Sequence, residues 1–410
     1  MKILMVNKFL YPRGGAETYF LKIGRWLSEN GHTVEYFGMY DRRNTVGNRL
    51  DLTTTNMDFH GKSLDRVLYP ARIVYSGEAR RKLVRLIRAF QPDIVHLNNI
   101  NFQLTPSVID AAAGCGVPVV QTVHDYQMVC PNHLLYRVQE NRICTECVEG
   151  SPWNCARHSC IHGSRAKSVI GSLEGSLYRH RQNYEQVRCY ICPSRFLQEM
   201  LHRRSVFRGK TVAIHNFIDL DLTAQPARDR GDYVLYFGRL SEEKGIHMLL
   251  EVCRSLPEIP FVIAGSGPME ALCREVPNVR FVGFQTGEAL NDYIRRAKFC
   301  VYPSVWYENC PLSVLEAQSL GTPVIGTRLG GTQELILDGR TGVLLKEATA
   351  EALRREVQML YGDEDRLRTM YQGCVEERKN MITLEKYCQQ LLEIYENVME
   401  GKTEWAGSAF

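Results

Sequence analysis

Residues 299–317 read FCVYPSVWYENCPLSVLEA. The apolar run Phe299 to Tyr302, closed by Pro303 and Ser304, has the length and composition of a buried strand. Pro311 then suits the first turn of a helix that continues to Ser319. Glu308 falls in the loop between them and Glu316 between the first and second helical turns, so both carboxylates can reach toward the space beyond the strand. Ionised carboxylates accept hydrogen bonds from hydroxyls, which a sugar or a ribose supplies in pairs. Backbone N–H groups around Asn309, Cys310 and the helix start suit phosphate oxygens. Without further context the two glutamates are equally well read as surface acids near a helix N-terminus, where negative charge is welcome.

The same strand–loop–helix unit recurs on both sides of this stretch. Tyr233–Phe237, Phe261–Ala264, Val279–Val282 and Pro323–Ile325 are further short apolar runs. They alternate with helical stretches at Glu243–Arg254, Met269–Glu275, Glu288–Arg296 and Pro311–Ser319. An earlier series, Lys2–Val6, Thr33–Phe37, Asp93–Leu97 and Pro118–Thr122, alternates with helices at Ala16–Glu29 and Glu78–Phe90. The spacing predicts two doubly wound α/β domains in tandem, each a parallel sheet covered by helices. Residues 216–232, rich in Asp, Pro and Gly, suit a hinge, which divides the chain into residues 1–215, 216–375 and a helical 376–410 expected to cross back to the first domain. The last ten residues, GKTEWAGSAF, suit a frayed end. Two such domains facing each other would form one cleft at the carboxyl ends of their strands.

Composition agrees with that size and excludes some functions. A chain of 410 residues, 44% hydrophobic, is long enough for two cores. Its 50 Lys and Arg against 46 Asp and Glu, net +4, give no reason to invoke nucleic acid. No apolar run is long enough to cross a bilayer and the N-terminus turns polar too early for a signal peptide, so a cytoplasmic protein is expected. Fourteen cysteines in such a compartment are free thiols or metal ligands more readily than disulfides.

Three other loops after strands carry chemistry. Gly14 and Gly15, in RGGAE after the first strand, allow close backbone approach to a ligand at a helix start, although glycine pairs there are often only tight turns. The segment FGRLSEEKG, residues 237–245, places Arg239 and Lys244 after the first strand of the second domain. With Ser241 as helix cap, Lys244 would lie in the first helical turn, where the dipole disfavours a cation unless an anion such as a diphosphate is bound. The competing reading pairs Lys244 with a neighbouring carboxylate. His124, with Asp125, follows the strand ending at Thr122 and is the candidate cleft-lining histidine, with His96 its weaker rival; a satisfied structural histidine is the ordinary alternative.

Taken in order, GGAE, HNFIDL, GRLSEEKG, VIAGSGP, the Glu308-x7-Glu316 pair and GTPVIGTRLGGTQELI resemble the family 4 retaining glycosyltransferases of GT-B fold, over Met1 to about Thr349. That resemblance implies transfer of a sugar from a nucleoside-diphosphate sugar to an acceptor hydroxyl, with retained configuration, in surface polysaccharide or glycolipid synthesis. It implies no cofactor or metal for catalysis, because Arg239 and Lys244 would meet the diphosphate charge. Gly14 and Gly15 would approach the diphosphate, Glu308 would hold the transferred sugar, and Glu316 the ribose. Asn309, Cys310, Pro311 and Leu312 would line the pocket through their backbone, and Gly283 and Phe284 would meet the base. His124 is carried over as catalytic with Glu308. Thr332, where proline is common, and the pair Trp306-Tyr307 depart from the pattern and leave the sugar open. An epimerase or sucrose-type synthase on the same fold, or a non-catalytic nucleotide-sugar-binding protein, are the alternatives.

Two features fall outside the resemblance. An insertion at about residues 128–165 carries Cys130, Cys144, Cys147, Cys155 and Cys160; the last four have spacings suited to a structural zinc, against free thiols in a loop. Cys189 and Cys192 lie in a strand-like run and suit packing. Two basic stretches, Arg72–Arg88 with six Lys or Arg and one acid, and Arg165–Lys210 with ten against three, suit either peripheral contact with an anionic membrane bearing a lipid-linked acceptor or ordinary solvated helix faces.

Overall fold

The computed structural model describes residues 1–56, 73–220, 222 and 229–402. Arg72, much of the expected hinge and the end of the chain from residue 403 lie outside the described residues. The chain divides into two units: Met1–Gln139 with Cys144–His215 and Leu384–Phe410, and Glu140–Ile143 with Asn216–Thr383. Each is described by itself.

The first unit holds a six-stranded sheet in the order Thr33–Phe37, Lys2–Val6, Ile94–Leu97, Val119–Thr122, Cys189–Cys192, Thr211–Ala213, with every pairing parallel. Its inner strands Ile94–Leu97, Val119–Thr122 and Cys189–Cys192 are buried along their whole length, as expected where helices cover both faces of a parallel sheet. They carry the buried polar residues His96, Gln121 and Thr122. Cys189 and Cys192 are thus packing thiols, pushed up by burial. The C-terminal helix Leu384–Met399 belongs to this unit. Tyr387 meets Tyr19 through a short hydroxyl–hydroxyl contact, and Tyr395 meets His96 with a hydroxyl-to-Nδ1 distance of 2.6 Å.

The second unit repeats the plan, in the order Val279–Gly283, Phe261–Ser266, Val234–Arg239, Phe299–Tyr302, Val324–Thr327, Gly342–Leu345. All of its pairings are parallel. Side chains alternate across a strand. Val234 and Tyr236 accordingly join the core on one face with Phe261 and Ile263, while Leu235 and Phe237 join the other with Val262 and Ala264. The strand order runs 3-2-1-4-5-6, so successive connections leave in opposite directions between Val234–Arg239 and Phe299–Tyr302. A ligand site forms at such a reversal, beyond the carboxyl ends of the two strands.

Several boundaries differ from the sequence reading. Thr211–Ala213 and Gly342–Leu345 complete the sheets as short edge strands and were not expected. The helix expected from Glu243 starts at Ile246, after a one-turn 3-10 segment Glu242–Lys244. Pro311 is the N-cap of Leu312–Ser319, one position before the first turn. In the helix Gly77–Phe90, Leu86 and Ile87 are buried in the core, which removes them from any membrane-facing surface. No helix among the described residues is long and apolar enough to cross a membrane.

Candidate functional site

The second unit's site is built on two glycines. Gly245 has φ +73°, a left-handed conformation costly for any other residue, and a Cβ there would lie 1.9 Å from the carbonyl oxygen of Pro303. The 3-10 turn therefore presses against the loop after Phe299–Tyr302 and brings Lys244 to Glu308. Gly330 at φ +61° leaves no room for a Cβ either, 2.2 Å from the carbonyl oxygen of Glu308. Residues 308 and 330 form a parallel bridge, and the N–H of Gly331 donates to the Glu308 carbonyl at 2.7 Å. The paired glycines of GTRLGG thus fix the backbone of Glu308.

Three donors meet one oxygen of the Glu308 carboxylate. Ser304 Oγ and Trp306 Nε1 donate to Oε1 at 2.6 Å each, and Lys244 Nζ at 2.7 Å. The side chains of Lys244 and Glu308 are 19% and 6% exposed, so this is a largely desolvated ion pair. Lys244 also donates to Tyr302 Oη at 3.0 Å and lies over the Tyr302 and Trp306 rings. Burial, followed by the charge of Glu308, holds the Tyr302 phenol well above its usual range, so it remains protonated.

The structure brings together Lys244 and Glu308, which the sequence placed in separate motifs. Lys244 is not in the first turn of an α-helix; it closes the 3-10 turn and pairs with Glu308. The pairing sits at the strand reversal rather than on a solvated face. Arg239 ends its strand exposed, and among the described residues its guanidinium has no hydrogen-bond or ion-pair partner. Asn216 donates from its side chain to the Cys310 carbonyl at 3.1 Å and from its backbone to the Cys310 sulfur at 3.4 Å, fixing the loop that continues to Pro311 and Leu312. Glu316 is half-buried on its helix. Gly283 ends its strand at φ +70°, and Phe284 beside it is 70% exposed, a ring face left open to solvent.

In the first unit, Gly14 caps the helix Gly15–Glu29 in an extended conformation open to any residue, so its freedom at positive φ is not used. His124 follows Val119–Thr122. Its Nε2 lies 2.9 Å from Asn98 Oδ1, and its ring packs edge-on against Tyr19 at 5.1 Å. Burial pushes it down to about 4, against the pull of Asp125, so the imidazole is neutral near pH 7. Burial alone would raise Asp125. The His133 ring, the N–H of Gln127 and Lys8 overrule it and hold the carboxyl at about 2. Lys8 is itself lowered by burial.

His96 differs from His124. It is fully buried, with Nδ1 on Tyr395 Oη and Nε2 on Thr122 Oγ1 at 2.8 Å, and burial takes it to about 3. Both nitrogens are occupied by the core, so His96 is structural. Sequence reasoning did not identify Ser304 and Trp306 as supports of Glu308, nor Asn98, Lys8 and His133 around His124 and Asp125. For Trp306 there was a signal: an aromatic ahead of the glutamate was visible as a departure.

The five cysteines of the insertion belong to the first unit. Cys130, Cys144, Cys147, Cys155 and Cys160 all line one small cavity, together with Arg137 and His158. All fourteen cysteines of the chain are free thiols.

Comparison with known proteins agrees with this geometry. Residues 13–222 match the family model described as Glycosyltransferase Family 4, and residues 231–363 match Glycosyl transferases group 1. The chain belongs to glycosyltransferase family 4, and its two parallel-sheet units are those of the GT-B fold. An uncharacterised 42.6 kDa protein in the cps region of Klebsiella pneumoniae is 25% identical over 359 residues, covering 82% of this chain and 87% of that one. The amylovoran biosynthesis glycosyltransferase AmsK of Erwinia amylovora is 30% identical over 149 residues, 32% of this chain and 35% of its own. Among solved structures, HepE of Anabaena in complex with UDP superposes with a TM-score of 0.69 at 17% identity, over 97% of this chain and 100% of that one.

Proposed function

We propose that the chain transfers a sugar, with retention at the anomeric carbon, from a nucleoside-diphosphate sugar to a hydroxyl of a glycan or lipid-linked acceptor during synthesis of a surface polysaccharide. The observation that carries this reading is the Lys244–Glu308 pair, desolvated and fixed by Gly245 and Gly330, at the strand reversal of the second unit. Glu308 is held in place by Ser304, Trp306 and Lys244, as an acceptor for sugar hydroxyls must be. Lys244 and the unpaired guanidinium of Arg239 supply positive charge for the diphosphate, which takes the part a divalent ion plays elsewhere. Glu316 serves the ribose and Phe284 offers a face to the base, with Gly283 turning the chain just before Phe284. In transfer, the bond from the anomeric carbon to the diphosphate oxygen breaks, the bond to the acceptor oxygen forms, and the acceptor proton ends on the departing diphosphate. His124, neutral and in the first unit, is read as an acceptor-side hydrogen-bonding group rather than a cation.

Uridine diphosphate is the first nucleotide to test, because HepE binds it, and the relatives of the cps region and of amylovoran synthesis support a polysaccharide acceptor. Purified chain is incubated with UDP-sugars, with and without an acceptor glycan fraction, and free UDP is measured. Release that depends on acceptor supports transfer. Equal release without acceptor points to hydrolysis, and conversion of the sugar with no release points to an epimerase; either result overturns the proposal.

A further inference from the structure

The five thiols of the insertion come from loops and the one-turn helices Glu146–Glu149 and Asn154–Arg157, and all five residues line one cavity. The Cys130 thiol donates to Asn132 Oδ1 at 2.9 Å. Two guanidiniums are packed beside the cluster: Arg137, whose side chain is 5% exposed, and Arg179, which donates to the carbonyls of Cys147 and Gly150. Arg137 is ion-paired with Glu146, which leaves Arg179 as the positive charge that offsets the net negative charge of a thiolate–metal centre. Among the described residues no three His, Cys, Asp or Glu side chains stand in metal-ligating geometry, so binding requires the thiols to draw together around the ion.

We propose that this cluster binds one structural zinc ion through four thiolates drawn from Cys130, Cys144, Cys147, Cys155 and Cys160, Cys130 among them. Zinc takes four sulfurs in tetrahedral geometry, and binding releases the thiol protons to solvent with no change of oxidation state. Cys130, which spacing alone left over, lines the cavity with the two short-spaced pairs. It also links the centre to the first unit's candidate residues. The N–H of His133 donates to the Cys130 carbonyl at 2.9 Å, and the His133 ring lies 3.2 Å from Asp125, the neighbour of His124. The ion therefore holds the turn that aims His133 at Asp125, a positioning role.

The test is the metal content of the tag-free, full-length chain expressed with zinc supplied. About one zinc per chain is expected. Titration of the folded protein with an organomercurial is expected to release the zinc in proportion to the thiols modified. Cobalt substituted for zinc is expected to show the intense charge-transfer absorption of a thiolate-rich tetrahedral site. Since a fifth thiol can replace any single ligand, the decisive variant is the double substitution Cys130→Ser with Cys155→Ser, with Cys115→Ser as control. The double variant should lose the zinc and the control keep it. Chain that purifies without stoichiometric zinc, a double variant that retains it, or disulfides among these cysteines would each overturn the proposal. The native-protein measurements decide the matter even if the double variant fails to fold.

Discussion

Replacing Glu308 with glutamine keeps its volume and removes its charge, leaving Lys244 paired with a neutral amide at a place where its side chain is 19% exposed. Breaking one side of a buried ion pair costs about 3–5 kcal/mol, and the lower end applies because Lys244 retains some access to water. Lys244→Met leaves the carboxylate with its Ser304 and Trp306 donors, so about 2 kcal/mol is expected. Once either charge is gone, removal of the other relieves an unpaired ion rather than creating one. The double variant should therefore cost about 3 kcal/mol where simple addition gives about 5, a coupling of about 2 kcal/mol. At about 2–4 °C per kcal/mol for a domain of this size, the single changes lower Tm by several degrees. The assay is a double-mutant cycle by urea unfolding of the full chain at constant salt. Additivity within about 0.5 kcal/mol would show that the two groups do not share a desolvated contact and would refute the account of the site.

Gly245→Ala forces a Cβ into the Pro303 carbonyl at positive φ and should destabilise by at least about 1–3 kcal/mol while weakening nucleotide binding, read by thermal unfolding with and without UDP. His96, at about 3 when folded against 6.5 when exposed, takes up its proton only on unfolding. Its contribution is complete above pH 6.5 and is lost as pH falls toward 3, with a slope of up to about 1.4 kcal/mol per pH unit. His96→Gln should reduce the acid slope of stability between pH 6.5 and 4.5 by about one proton, measured by urea unfolding at several pH values. Glu174 is the opposite case. Burial, with Asp125 adding, raises it to about 8, so its contribution is complete below pH 4.5 and lost as pH rises toward 8. Glu174→Gln should then be more stable than the parent at pH 8 by up to a few kcal/mol, roughly, and no more stable at pH 4.5.

Much of this was legible in the residues because strands buried on both faces tend to be short apolar runs, as Phe299–Tyr302 is. Glu308 and Glu316 were visible too, but only as carboxylates near a helix start. What the chain order hid was contact. Lys244 and Glu308 are 64 residues apart, and they meet because the strand order reverses between their strands and Gly245 permits a close approach. Neither cause has a local periodicity. His96 and His124 looked alike in sequence, each at a strand end. One is enclosed by Tyr395 from the last helix, a contact no local pattern announces, and the other is not. The five cysteines show the same limit: spacing paired four of them, and only the fold adds Cys130.

Calorimetric titration of the purified chain with UDP, alongside a variant carrying Arg239→Ala and Lys244→Met, tests the central claim most directly. The account predicts saturable binding at one site per chain and a loss of at least tenfold in affinity for the variant, which is about 1.4 kcal/mol. Equal affinity for parent and variant would contradict the placement of the diphosphate at Arg239 and Lys244.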